Sequence, residues 1–194
     1  MTTDSLGGAI VWWCTARRGD SAPQLRVQRV TASGISEWGN GGVLIEQSFS
    51  PAGNAAAATD GAGGAFVTCH SARGASLRSQ HVLKSGQREW SESGVMVARG
   101  GNRRIASSIV RDASRGLYLS WQEFRYGVAP VVLCQRLDSL GVMQWDPDGI
   151  RPTTSFAQCR VAPLSCDGSG NLLVAWEAAS RSNSAQHRVW VQKL

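Results

Sequence analysis

Apolar runs recur along the chain at intervals of fifty-odd residues, each opened by a polar turn and closed on tryptophan or cysteine. The four copies are Asp4-Ser-Leu-Gly-Gly-Ala-Ile-Val-Trp-Trp13, Asp60-Gly-Ala-Gly-Gly-Ala-Phe-Val-Thr-Cys69, Asp112-Ala-Ser-Arg-Gly-Leu-Tyr-Leu-Ser-Trp121 and Asp167-Gly-Ser-Gly-Asn-Leu-Leu-Val-Ala-Trp176. A second block follows each, as Gln28-Arg-Val, Gln80-His-Val, Gln135-Arg-Leu and Gln192-Lys-Leu. After the first three come a glycine, a tryptophan and a glycine at offsets of six, four and four: Gly34, Trp38, Gly42; Gly86, Trp90, Gly94; Gly141, Trp145, Gly149. A fixed period of this length marks a chain built from one supersecondary unit, repeated.

Each unit predicts four short strands, A to D. Strand A precedes the Asp (Ala55 to Thr59, Ile105 to Arg111, Cys159 to Ser165), and the Asp/Gly turn closes a hairpin onto strand B, the apolar run. Strand C ends at the Gln block, and strand D runs through Val43 to Ile45, Val95 to Val97, or Ile150. The stretch Ala55 to Ala58 has helical propensity, but its place in the repeat assigns it to a strand. Four antiparallel strands per unit is the pattern of a propeller blade. The expected fold is therefore all-β, a propeller-like array of about 3.5–4 blades over residues 1–194, with repeats near 4–53, 54–103, 104–157 and 158–194. Strand A of the first copy and strand D of the last are missing or vestigial, which predicts self-association or membership of a longer ring. Trp13, Trp121 and Trp176 are expected to be buried between blades.

These residues resemble the repeats of bacterial β-propeller proteins, commonly secreted or surface-associated, which read approximately DGxGGxxVxWxDxR and then QRhxxxGxxxWxxxG. Two positions depart from that pattern: Cys69 stands for the strand-B tryptophan and Arg115 for a glycine. The resemblance implies a fold rather than an activity, because propellers host enzymes, lectins and scaffolds alike.

Composition refines the picture. With 42% hydrophobic and 18% charged residues the chain is that of an ordinary folded protein. Its net charge of +6 comes almost wholly from arginine, since Lys84 and Lys193 are the only lysines. Arginine forks brace carbonyls and carboxylates as readily as they bind polyanions, which weighs against a nucleic-acid reading. Five cysteines (Cys14, Cys69, Cys134, Cys159, Cys166) without CxxC spacing argue against zinc and a disulfide framework. No cofactor is expected. Neither a signal peptide nor a membrane span is read in the chain, so it works where it is made or belongs to a longer secreted protein.

Segment lengths locate the adaptable face. Asp to the end of strand B is always nine residues, Gln to the second Gly fourteen, and that Gly to the next Asp eighteen; only strand B to the Gln varies, at 15, 11, 14 and 16. The B–C loops thus carry the variation, on the face they share with the D–A connections. An arginine follows strand B by four residues in three copies and by five in the fourth, giving Arg17, Arg73, Arg125 and Arg181. With Tyr126 these form the expected ligand- or partner-binding set, suited to an anionic ligand, a protein or a carbohydrate. Trp190, out of phase with the other tryptophans, is a candidate exposed platform. Motifs for serine hydrolases, P-loops, zinc proteases and dinucleotide binding are absent, as is the Ser-x-Asp-x-Gly-x-Thr-Trp box of sialidases. The single carboxylate-pair candidate on the B–C side is Glu123 with Glu177. On these grounds the sequence suggests a non-catalytic recognition or scaffold module, with a lectin-like or glycoside-active propeller and a polyanion binder as alternatives.

Overall fold

In the computed structural model, residues 1–15, 23–49, 55–70, 76–100, 102–152, 158–167, 169–179 and 187–194 are described, with backbone alone at 106–107, 158–162, 178–179 and 187. The described chain is all β: fourteen strands in four antiparallel sheets that follow one another along the sequence. Blade 1 holds β1 (Thr2–Thr3), β2 (Ala9–Thr15), β3 (Gln24–Val30) and β4 (Val43–Glu46). Blade 2 holds β5 (Ala55–Thr59), β6 (Ala65–His70), β7 (Leu77–Val82) and β8 (Val95–Ala98). Blade 3 holds β9 (Arg103–Arg111), β10 (Leu117–Phe124) and β11 (Val131–Leu137), with a bridge from Cys134 to Ile150 standing for the fourth strand. Blade 4 holds β12 (Gln158–Cys166), β13 (Leu172–Ala179) and β14 (His187–Lys193). The first strands of successive blades lie side by side, β9 between β5 and β12, as blades arranged about an axis require.

Alternation along strand B assigns its two faces to two neighbours. Counted from the Asp, offsets five, seven and nine face the preceding blade; offset six faces the next. Thus Ile10 of blade 1 meets Ala65, Val67 and Cys69 of blade 2. Phe66 of blade 2 meets Leu117, Leu119 and Trp121 of blade 3, and Tyr118 of blade 3 meets Leu172, Val174 and Trp176 of blade 4. The core is therefore three interfaces rather than one centre. Trp121 and Trp176 are buried as expected, whereas Trp13 is half-buried, because no blade among the described residues packs on the face it occupies. Cys69 and Cys134 fill core positions, and burial pushes both thiols up to about 12.

Three devices hold the blades. Asp Oδ1 accepts the N–H groups two and four residues on (Leu6 and Gly8 from Asp4; Ala62 and Gly64 from Asp60), closing the A–B turn. Gln28, Gln80 and Gln135 each donate from Nε2 to a carbonyl of the following loop at 2.8 Å (Gly39, Ser91, Asp146), fastening strand C to the tryptophan segment. Trp38 and Trp90 then donate from Nε1 to Lys84 O and Ser139 O of the next blade, at 3.0 and 3.1 Å. Gly86, at φ +84°, lies flat against Trp38, where a Cβ would come within 2.9 Å of the indole.

Candidate functional site

Two charged clusters stand at opposite ends of the blades. At the A–B end the turn aspartates do more than close hairpins, the one role expected for them. Oδ2 of each pairs with the residue after the strand-C glutamine. Asp4 takes Arg29 at 2.9 Å, Asp60 takes His81 at 3.1 Å, Asp112 takes Arg136 at 2.9 Å and Asp167 takes Lys193 at 2.7 Å. His81 also bonds through Nδ1 to Glu89 and stacks on Phe66, with ring centroids 4.3 Å apart. Carboxylate, imidazole and carboxylate in a row have the look of a catalytic relay. The matching pairs in the other three blades identify it as a brace. Burial acts to raise the Asp60 carboxyl, but the His81 bond and the Ala62 and Gly64 N–H groups outweigh it and hold it below the usual range.

At the B–C and D–A end, β9 and β10 bring together Arg104 and Glu123, a pair without a counterpart among the described residues. Arg104 sits opposite Glu123 in the strand register, and Arg103 opposite Phe124. The Glu123 carboxylate accepts from Arg104 Nε at 2.8 Å, Arg125 Nε at 2.6 Å and Asn102 Nδ2 at 3.0 Å. Arg104, 3% exposed, also donates to the Arg99 and Gly100 carbonyls, so it knits the D–A connection to the B–C loop. Burial would raise the Glu123 carboxyl; the Arg125 bond and the Arg104 charge hold it below the ordinary range instead. It is therefore ionised and saturated with donors, which suits positioning and excludes service as a proton donor near neutrality.

Around this ion pair the surface is aromatic and basic. The Arg103 guanidinium lies 5.2 Å from the Phe124 ring centroid, the Arg125 side chain is 39% exposed and Tyr126 projects fully into solvent. Behind it, on the blade 2 side, His70 is completely buried with neither ring nitrogen partnered among the described residues. Burial first, and the Arg104 charge second, push His70 down to about 4, so its ring is neutral at physiological pH.

Of the residues expected to bind, Arg125 and Tyr126 fall at this end; Arg17, Arg73 and Arg181 lie outside the described residues. Glu177 sits on β13 of blade 4, one repeat position earlier than Glu123. Trp38 and Trp90 are tied into blade interfaces, and Trp190 is 36% exposed on β14. Sequence reasoning missed Arg104 and Asn102, because the expected strand A began at Ile105 and the pairing of Arg104 with Glu123 follows only from the strand register. Among the described residues no three His, Cys, Asp or Glu side chains converge to hold a metal, and no helix is long and apolar enough to cross a membrane. A groove of about 870 Å³ lies elsewhere, between Leu44 to Ser48 and the rim of blade 2; its arginines Arg78 and Arg88 already serve the Ser93 and Glu92 carbonyls.

The described sheets define a protein of propeller-type blades. Solved structures agree with this architecture. An exo-β-1,3-galactanase from Phanerochaete chrysosporium, solved with β-1,3-galactotriose, superposes with a TM-score of 0.55 at 14% identity over 100% of this chain and 44% of its own. Puromycin hydrolase superposes at 0.53 and 14% identity, over 100% of this chain and 29% of its own. The chain thus spans less than half the length of either protein. No protein-family model matches it, and neither does any curated protein. The resemblance that these structures carry is one of distant, partial blade architecture rather than of a particular repeat class. They also correct the expectation of a non-catalytic module: a protein named a galactanase and one named a hydrolase carry blades of this architecture, so the fold is one that enzymes use.

Proposed function

We propose that this chain is part of a carbohydrate-active propeller whose sugar-contacting surface is the B–C end of blade 3. The observation that carries the reading is the Glu123 centre, where one buried carboxylate orients Arg104, Arg125 and Asn102 beside Phe124 and Tyr126. The partly exposed Arg125 guanidinium next to the exposed Tyr126 ring and the half-buried Phe124 matches a sugar, which offers hydroxyl acceptors at its rim and C–H groups on its face. Arg125 and Tyr126 contact the ligand; Glu123 and Arg104 position them. Arg17, Arg73 and Arg181, at or near the same phase of the other repeats, extend the proposed surface. The likeness to a galactanase solved with β-1,3-galactotriose supports choosing that sugar first. The repeat residues support kinship with the bacterial DGxGG propeller proteins.

The test is calorimetric titration with β-1,3-galacto-oligosaccharides, with release of reducing sugar read in parallel. The expected result is binding that an Arg125→Ala/Tyr126→Ala variant weakens at least tenfold while its circular-dichroism spectrum and melting temperature stay those of the parent. Binding of heparin that collapses with salt, in place of glycan binding, would move the site to the polyanion reading. Glycan binding unchanged in the double variant would remove this surface from consideration.

A further inference from the structure

The strand bounds divide the charges of the chain between two ends. In sequence, the B–C loops carry Arg17, Arg18, Arg73, Arg125 and Arg181 and the D–A connections carry Arg99 and Arg151, with Asp20 the one acid in either set. The strands add three acids and six arginines within three residues of that end, so the sign holds. The A–B and C–D turns carry the reverse, ten acids against Lys84, Arg88 and Arg115. The eight residues of β10, at about 3.3 Å each, hold the two ends roughly 26 Å apart, about three Debye lengths at physiological salt. A solute at one end therefore feels the charge of that end and little of the other.

Blade 3 shows which donors at the positive end are open. Arg104 spends its guanidinium inside the protein, on Glu123 and on the Arg99 and Gly100 carbonyls. Arg125 reaches Glu123 through Nε, and its terminal nitrogens, on a side chain 39% exposed, bond to no described residue. Arg103 is exposed over the Phe124 ring at 5.2 Å and has no hydrogen-bond acceptor among the described residues. Glu123 is ionised and already accepts from three side chains, so two guanidinium charges stay uncompensated around it. Sugar hydroxyls would use the hydrogen bonds of the Arg125 fork but not its charge; a carboxylate uses both, because its two oxygens match two parallel N–H groups. Given the sugar-contacting role proposed above for this surface, we infer that its ligand is an acidic glycan, whose uronate carboxylate is taken by the terminal nitrogens of Arg125. Arg103, on the paired strand, adds a second positive charge to the same end. The acidic A–B end repels that carboxylate, which confines the ligand to one end of the blades.

Calorimetry with three forms of β-1,3-galactotriose tests this on the full chain: the neutral sugar, the sugar with its terminal C6 as a carboxylate, and the methyl ester of that carboxylate, which keeps the size and removes the charge. The uronate is expected to bind about tenfold more tightly than either neutral form at about 50 mM salt, with most of that margin gone at about 500 mM. Arg125→Gln is expected to cut the margin below about twofold, and Arg103→Gln to about threefold, with circular dichroism and melting temperature those of the parent. Arg115→Gln removes the same charge from the opposite end and leaves the margin intact. Equal affinity for the three forms would overturn the acidic-glycan inference and leave the sugar reading standing, whereas binding of none of them removes both. A margin that survives in folded Arg125→Gln, or that Arg115→Gln lowers as much, would overturn the assignment of the carboxylate to this fork.

Discussion

The Asp60, His81 and Glu89 group and the Glu123, Arg104 and Arg125 group use the same kinds of side chain at opposite ends of neighbouring blades. The first has a counterpart in all four blades, as Asp with Arg, His or Lys, and so belongs to the frame. The Glu123–Arg104 pair of the second has no counterpart among the described residues, although Arg125 stands at a phase that Arg17 and Arg73 share. A repeat protein thereby separates architecture from function without an alignment: what each unit repeats holds the unit together, and what one unit alone contains is free to serve something else.

Breaking the singular cluster is expected to have the largest effect. Glu123→Ala leaves Arg104 buried without its carboxylate and should cost about 3–5 kcal/mol of stability in urea denaturation. Substitution of a frame aspartate comes next. Asp112→Ala removes two backbone bonds and the Arg136 pair, about 2–3 kcal/mol. Asp4→Ala should lose a similar amount. Asp167→Ala should lose far less, because its partner Lys193 is 57% exposed and solvent screens the pair.

His70 sharpens the comparison through pH. Its folded value of about 4 lies below the ordinary 6.5, so the unfolded chain takes up the proton first. Stability is intact above pH 6.5 and drains as pH falls to about 4, by about 3 kcal/mol. His70→Leu should flatten that limb in pH-dependent melts and gain about 1–2 kcal/mol at neutrality by removing two unpartnered buried nitrogens. Below that window, the carboxyls of Asp4, Asp60 and Glu123, all held low in the fold, protonate and stability falls further in either chain. The smallest effect belongs to the frame. Arg115 takes φ +65° where Gly7, Gly63 and Gly170 stand in the other turns, so Arg115→Gly should gain about 0.5–1 kcal/mol in the same melts.

Period and spacing were enough to place thirteen of the fourteen strands, including β5, whose alanines favour a helix in isolation, because cross-strand partners override local propensity; β1, read as missing or vestigial, is a two-residue strand, and the strand read at Ile150 is a bridge. The aspartate–cation pairing was also written in the sequence, as four acids and four bases at fixed phases, but its geometry emerges only once strands A to C curl the two together. Arg104 could not be read that way. Its role depends on one strand register, and in sequence it is half of an Arg-Arg pair that looks like surface charge. Tyr126 and Arg125 follow the repeat phase; Asn102 sits in a connection that no periodicity reaches.

The tryptophan bonds between blades also set an order of events during synthesis. Trp38 closes onto Lys84, 46 residues later, and Trp90 onto Ser139, 49 residues later. On a ribosome adding about 5–20 residues per second, each indole must wait roughly 2–10 s for its acceptor to be made. Until then the outer edge of each new blade stays unlatched, and the nascent chain advances one blade at a time, always with its latest tryptophan exposed to whatever is nearby.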